Sequence, residues 1–127
     1  IAGVQAGHHP LSHHGQDPAK IAQLKIIESG ILSAFSDFLT QLGQRSAEGT
    51  RLLDHTAVLF GSNLGNANAH DPRNLPIILA GGGYRHGQYV AYDRKNNVPL
   101  CNLFVSMLNN MGVDTDSFAT STGTLSW

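Results

Sequence analysis

Hydrophobic residues recur at helical spacing along the segment that follows Asp17 and Pro18. Asp17 is a typical N-cap acceptor, and a proline at the first helical position loses no hydrogen bond there. The pattern predicts a long helix that ends in the region of Gly43 or Gly49. Its apolar stripe is wide, so we expect the helix to be covered on more than one side. The main face comprises Leu24, Ile27, Ile31, Phe35, Phe38 and Leu42, and Ile26, Leu32 and Leu39 widen it.

Two continuous apolar runs, at residues 56–61 and 76–80, lack the alternation of a half-exposed strand. Such runs are typical of strands that are covered on both faces. Residues 62–75, which connect them, show neither a helical nor a strand period, and a loop of this length in a compact domain is usually functional. In open α/β sheets, ligands bind where such loops leave the strands.

The remaining segments complete an α/β pattern. Residues 84–92 resemble a short hairpin or edge segment, Pro99 opens a last helix with Gly112 as its C-cap, and the tail at 114–127 is irregular. The predicted fold is therefore an α/β layer with a short buried sheet and flanking helices.

The composition limits the classes of protein to which such a layer can belong. The 127 residues are 41% hydrophobic and 13% charged, with a net charge of -1, against about 25% charged in typical domains. We therefore expect part of the surface to be covered by the remainder of a longer polypeptide or by another subunit. The charge balance excludes a basic nucleic-acid-binding domain, no apolar run is long enough to span a membrane, and the single Cys101 excludes a disulfide scaffold.

Histidines are the most distinctive feature of the composition, because four of the 7 fall between His8 and His14. They precede the cap of the long helix, so we expect them on a loop where imidazoles can converge. Neutral imidazole is a common ligand of zinc, copper, iron and nickel. The alternative is a set of loop histidines that hydrogen-bond to carbonyl groups.

A second group of polar side chains lies on the loop at 62–75. His70, Asp71 and Asn63 are candidate metal ligands there, whereas Asn66 and Asn68 are expected to cap their own backbone. His70 and Asp71 also fit a simple turn before Pro72. Since both histidine segments are expected at one edge of the sheet, we predict that His9, His13 and His14 lie near His70, within roughly 12 Å if they share one ion.

The pattern His9-x-x-Ser12-His13-His14 resembles the motif of the bacterial HXXSHH domain family, a group of secreted proteins of unassigned activity. The resemblance implies that residues 1–127 are one domain piece, the C-terminal part of a larger domain, in a periplasmic or secreted protein. It extends over essentially the whole chain, including Gly61-Ser62, Ala69-His70-Asp71, Asn74-Leu75-Pro76 and Leu79-Ala80-Gly81-Gly82.

The family is in turn similar to the sulfatase and alkaline-phosphatase-like hydrolases. That similarity implies a fragment of their layered fold and a metal-dependent hydrolase of sulfate or phosphate esters, with His9, His13, His14 and His70 holding a divalent transition metal such as zinc. Asn63 and Leu64 stand where those enzymes have an aspartate and a histidine, so their two-zinc site does not carry over intact. Any nucleophile would lie outside these residues. The alternative is a non-catalytic extracytoplasmic binding or structural protein that keeps the hydrolase-like fold.

Overall fold

The computed structural model describes residues 1–125, which form helices and two small antiparallel sheets. This confirms the prediction that the chain combines helices with strands. The α-helices are α1 (His8–Ser12), α2 (Pro18–Gln44) and α3 (Cys101–Asn110), and the strands are β1 (Ser46–Ala47), β2 (Thr50–Arg51), β3 (Ala57–Gly61) and β4 (Ile77–Gly81).

The long predicted helix is α2, and it begins as its sequence indicates. The Asp17 side chain accepts a hydrogen bond from the backbone N–H of Ala19, and Pro18 occupies the first turn. The helix ends at Gln44, one residue after Gly43. Gly49 lies instead in the left-handed turn between β1 and β2, a hairpin that the hydrophobic pattern did not reveal.

Strands β3 and β4 pair with each other in antiparallel orientation, with Leu59 opposite Leu79. One face of the pair contacts α2 through Phe35 and Phe60, whose rings stack at 4.6 Å. The prediction of a buried sheet covered on both faces is wrong for the described residues, because every residue of β3 retains some exposure and Ile78 of β4 is 43% exposed. Apolar composition favours a strand, but the elements that pack on it decide its burial.

The long helix is also incompletely covered. None of its residues is buried, and Ile26 and Leu32 are exposed, with Leu32 at 47%. The expectation that this helix is covered on more than one side is therefore wrong for the described residues. No helix among the described residues combines the length and hydropathy that a membrane span requires.

The best-packed region lies around α3. Val105 is fully buried, and the irregular tail is fixed to the helix by hydrogen bonds from Asn102 to Thr122 and from Ser106 to Leu125. Helix α3 is followed by Gly112 in left-handed conformation, as predicted. Residues 84–98 before it form neither a helix nor a strand, so the expected hairpin or edge segment is not present.

Candidate functional site

The N-terminal histidines lie on and just after the short helix α1, rather than on the loop that the sequence predicted. Leu11 is 1% exposed and anchors this turn in the interior, while Pro10 is tolerated because the N–H groups of a first turn need no helical acceptor. The backbone N–H of His13 donates to the carbonyl oxygen of His9 at 3.3 Å. One helical turn therefore separates these two histidines and brings their side chains to the same side.

His70 is positioned by the loop between β3 and β4. It follows a short 3₁₀ helix at Ala67–Ala69 and adopts the left-handed conformation, with φ of 50°. Asn66 accepts a hydrogen bond from the backbone N–H of Ala69, as its predicted capping role requires. The backbone of Asn66 also pairs with that of Asp71, so the loop folds back on itself and is internally supported.

Three imidazole rings meet between the two segments. The ring of His13 lies edge-on to that of His9, with centroids 4.8 Å apart, and edge-on to that of His70, with centroids 4.7 Å apart. The predicted proximity of His13 to His70 is confirmed. We call His9, His13 and His70 the histidine cluster.

The electrostatics of the cluster favour a neutral central ring. Desolvation lowers the pKa of His13, and the neighbouring His70 and His9 lower it further. Neutral imidazole is the form that binds a metal ion, because protonation occupies the lone pair of the ring nitrogen.

The other candidate ligands have different partners. His14 accepts a hydrogen bond from the backbone N–H of Gln16 through its Nδ1. The Asp71 carboxylate receives two hydrogen bonds from the Arg73 guanidinium, of 2.8 and 3.0 Å, and this pairing holds the pKa of Asp71 below its usual range. Asn63 is exposed, and no contact recorded among the described residues joins it to the cluster. Of the candidate ligands in the described part of the chain, ring contacts join His9, His13 and His70.

Two residues that support the site were not identified from the sequence. Asn68, expected to cap its own loop, accepts a hydrogen bond of 2.8 Å from the backbone N–H of Gly15 and so joins the loop to the N-terminal segment. Arg73 pairs with Asp71, and the one signal for this ion pair in the sequence is that Arg73 follows Asp71 by two residues. Both depend on a loop conformation that spacing alone does not specify.

A shallow surface depression, widely open to solvent, adjoins the cluster at His70. Its lining includes His70, Asp71 and Arg73, together with Ala69 and Pro72. In the described part of the chain, no three histidine, cysteine or acidic side chains are arranged so that they would hold a metal ion without moving. Metal binding would therefore require the imidazole rings of the cluster to turn.

Comparison of the chain with protein-family models, with curated proteins and with solved structures gives no match.

Proposed function

We propose that the histidine cluster binds one divalent transition metal ion, with zinc as the first choice, within a hydrolase of sulfate or phosphate esters. The observation that carries this proposal is the position of the His13 ring between those of His9 and His70. The proposed protein is extracytoplasmic, as the resemblance of its His-x-x-Ser-His-His motif implies.

The spacing of the rings supports a shared ion. With Zn–N bonds of about 2.1 Å and tetrahedral geometry, the centroids of two imidazoles on one zinc lie about 5 Å apart. The observed separations of 4.8 and 4.7 Å are close to this value. A shared ion would require the rings to turn about their side-chain bonds until their nitrogens face a common point.

The ligand types also limit the choice of metal. Three imidazoles suit zinc, copper, iron or nickel, whereas magnesium and calcium prefer oxygen ligands. Asp71 is engaged by Arg73 and is not needed in the ligand set. A metal ion bound by three histidines stabilises developing negative charge and lowers the pKa of a bound water molecule.

The proposal includes a larger assembly around this chain. We infer that the layer belongs to an alkaline-phosphatase- or sulfatase-like fold and that the remainder of its own polypeptide, or another subunit, covers α2 and the β3–β4 pair. The support is the exposure of large apolar side chains on these elements: Ile26, Ile31, Leu32, Phe38 and Ile78.

One observation favours the non-catalytic alternative. The hydrogen bond between Gly15 and Asn68 and the edge-to-face packing of His13 on His70 already join the two segments without an ion. In this alternative, the histidines pack against each other and hold two segments of the chain together, and the protein serves as a binding or structural component.

Elemental analysis of the untagged protein separates the two functions. The metal-binding proposal expects about one zinc or another transition metal per chain, and loss of that metal in both His13→Ala and His70→Ala. His55→Ala is the matched control, because His55 is exposed and precedes β3. Metal well below one equivalent in the wild type, or unchanged content in both cluster variants, would assign the histidines a structural role.

A further inference from the structure

Strand β3 has one paired edge and one open edge. In the described part of the chain it pairs with β4 alone. Just beyond the two strands, the N–H of Ser62 donates to the carbonyl oxygen of Pro76 at 3.2 Å. Hydrogen-bonded and non-hydrogen-bonded pairs alternate along an antiparallel ladder, so Phe60 and Val58 are the residues of β3 that bond to β4. The remaining backbone groups of the strand point to the opposite edge, and they belong to Ala57, Leu59 and Gly61.

The outward groups of β3 are open along its whole length. Among residues 1–125, no hydrogen bond reaches the backbone N–H or C=O groups of Ala57, Leu59 or Gly61. The outer edge of β4 differs, because the carbonyl oxygen of Gly81 accepts from the backbone N–H of Tyr84 and also contacts the ring of a histidine at 3.0 Å. Of these two edges, that of β3 is the better prepared to pair.

Strand β3 also lacks the features that keep an open edge from pairing. Proteins protect such edges with charged side chains, prolines or bulges. The strand reads Ala-Val-Leu-Phe-Gly, without a charge or a proline, and its register with β4 runs without a bulge. An open edge of apolar residues is a template for the addition of another strand.

We propose that this edge pairs in antiparallel orientation with the same edge of a second copy of the chain. The outward groups lie on the first, third and fifth residues of β3, so the strand is its own complement about a two-fold axis at Leu59. Leu59 then faces Leu59 of the second copy, and Ala57 faces Gly61. Each facing pair exchanges two hydrogen bonds, which satisfies every outward group of the strand.

Charge favours a second copy as the occupant of this edge. The net charge of -1 gives little repulsion between two copies. The residues that flank the strand, Thr56 and Ser62, are uncharged and would face each other in this register, so no like charges are opposed at the join. The proposal rests on the assembly part of the proposed function and deepens it, because it names the subunit at β3. It does not depend on the metal.

Sedimentation of the untagged chain in the presence of a chelator tests association without metal. A five-residue edge buries less surface than a standard interface, so we expect a dimer to form between micromolar and millimolar concentration. Amide hydrogen exchange, followed by NMR, identifies the edge. Exchange at Ala57, Leu59 and Gly61 should slow about tenfold as the dimer comes to predominate. Leu79, whose N–H points outward from β4, should keep a constant rate.

Two proline variants separate the edge of β3 from that of β4. The N–H of Leu59 points outward, so Leu59→Pro removes both donors at the two-fold axis without removing a bond to β4. It is expected to weaken dimerisation about thirtyfold. Leu79→Pro is the matched control, because Leu79 lies opposite Leu59 and its N–H also points outward. It should dimerise within about twofold of wild type, and circular dichroism checks that both variants are folded.

A monomer at every concentration would overturn the proposal and leave the edge to a strand from the rest of the polypeptide. A dimer in which exchange at Ala57, Leu59 and Gly61 stays constant would also overturn it, as would equal weakening by two folded proline variants. If a proline variant fails to fold, exchange in the wild type decides. Because chelator is present, these outcomes do not depend on the histidine cluster, and elemental analysis decides the metal proposal separately.

Discussion

The backbone N–H of Gly15 donates a hydrogen bond of 2.8 Å to Asn68 Oδ1, across 53 positions of sequence. Gly15 follows His13 by two residues, and Asn68 precedes His70 by two residues. The hydrogen bond therefore fixes the separation of the two segments that carry the histidine cluster. The histidine cluster thus depends on an amide side chain that is not itself a candidate ligand.

Asn68→Ala is expected to loosen the cluster. Loss of one exposed hydrogen bond should lower the free energy of unfolding by only about 0.5–1 kcal/mol, whereas zinc affinity should fall more, because His70 would no longer be held beside His13. Chelator competition measures the affinity and urea denaturation the stability. Asn96→Ala, on the exposed segment before α3, is the control. Wild-type zinc affinity in Asn68→Ala would show that the loop holds His70 without this bond.

The lowered pKa of His13 makes stability depend on pH. The folded protein binds its proton less readily than the unfolded chain, whose histidine pKa is about 6.5, so metal-free stability should fall as pH drops through that value and down to the folded-state pKa. His70→Ala removes one cause of the shift and should raise the pKa of His13, which NMR titration of its ring protons measures. An unchanged His13 titration in His70→Ala would contradict the observed ring contact.

Local signals predicted local structure well. Asp17 and Pro18 specify the start of α2 because an N-cap and a first-turn proline act within a few residues. Helix α1 was not predicted because its five residues carry no periodic signal, and the burial of Leu11 depends on packing that the sequence pattern does not show. The β1–β2 hairpin was missed for a similar reason, since each strand has two residues.

The candidate site was partly predictable. The contact of His13 with His70 followed from placing the two segments at one edge of the sheet, and the structure confirms it. The assignment of Asp71 as a ligand did not anticipate its pairing with Arg73, because the direction of a side chain in an irregular loop depends on tertiary contacts. The predicted burial of β3 and β4 was too high because burial of a strand depends on the elements that pack on it, which its own sequence does not show.

Two glycine substitutions should change stability in opposite directions. A Cβ atom at Gly65 would collide with the carbonyl oxygen of Arg73, so Gly65→Ala must displace the backbone that positions Asp71 and should cost about 1–3 kcal/mol. Gly30 lies within α2 with open space around its Cβ position, and Gly30→Ala should stabilise the helix by about 1 kcal/mol. Thermal unfolding of both variants checks the pair. A tolerated alanine at position 65 would mean that the loop has a different conformation.

Two phenylalanines of α2 test whether this helix is covered by another part of the protein. Phe35 is half-buried and stacks on Phe60, whereas Phe38 is 47% exposed. If only the described contacts cover α2, Phe35→Ala should cost about 3 kcal/mol and Phe38→Ala less than about 1 kcal/mol, because truncation matters where a side chain is packed. Urea denaturation of this chain measures both values. In the assembly proposed above, Phe38 acquires a partner, so the cost of Phe38→Ala should approach that of Phe35→Ala when the covering polypeptide is present. An unchanged small cost there would contradict coverage of this face of α2.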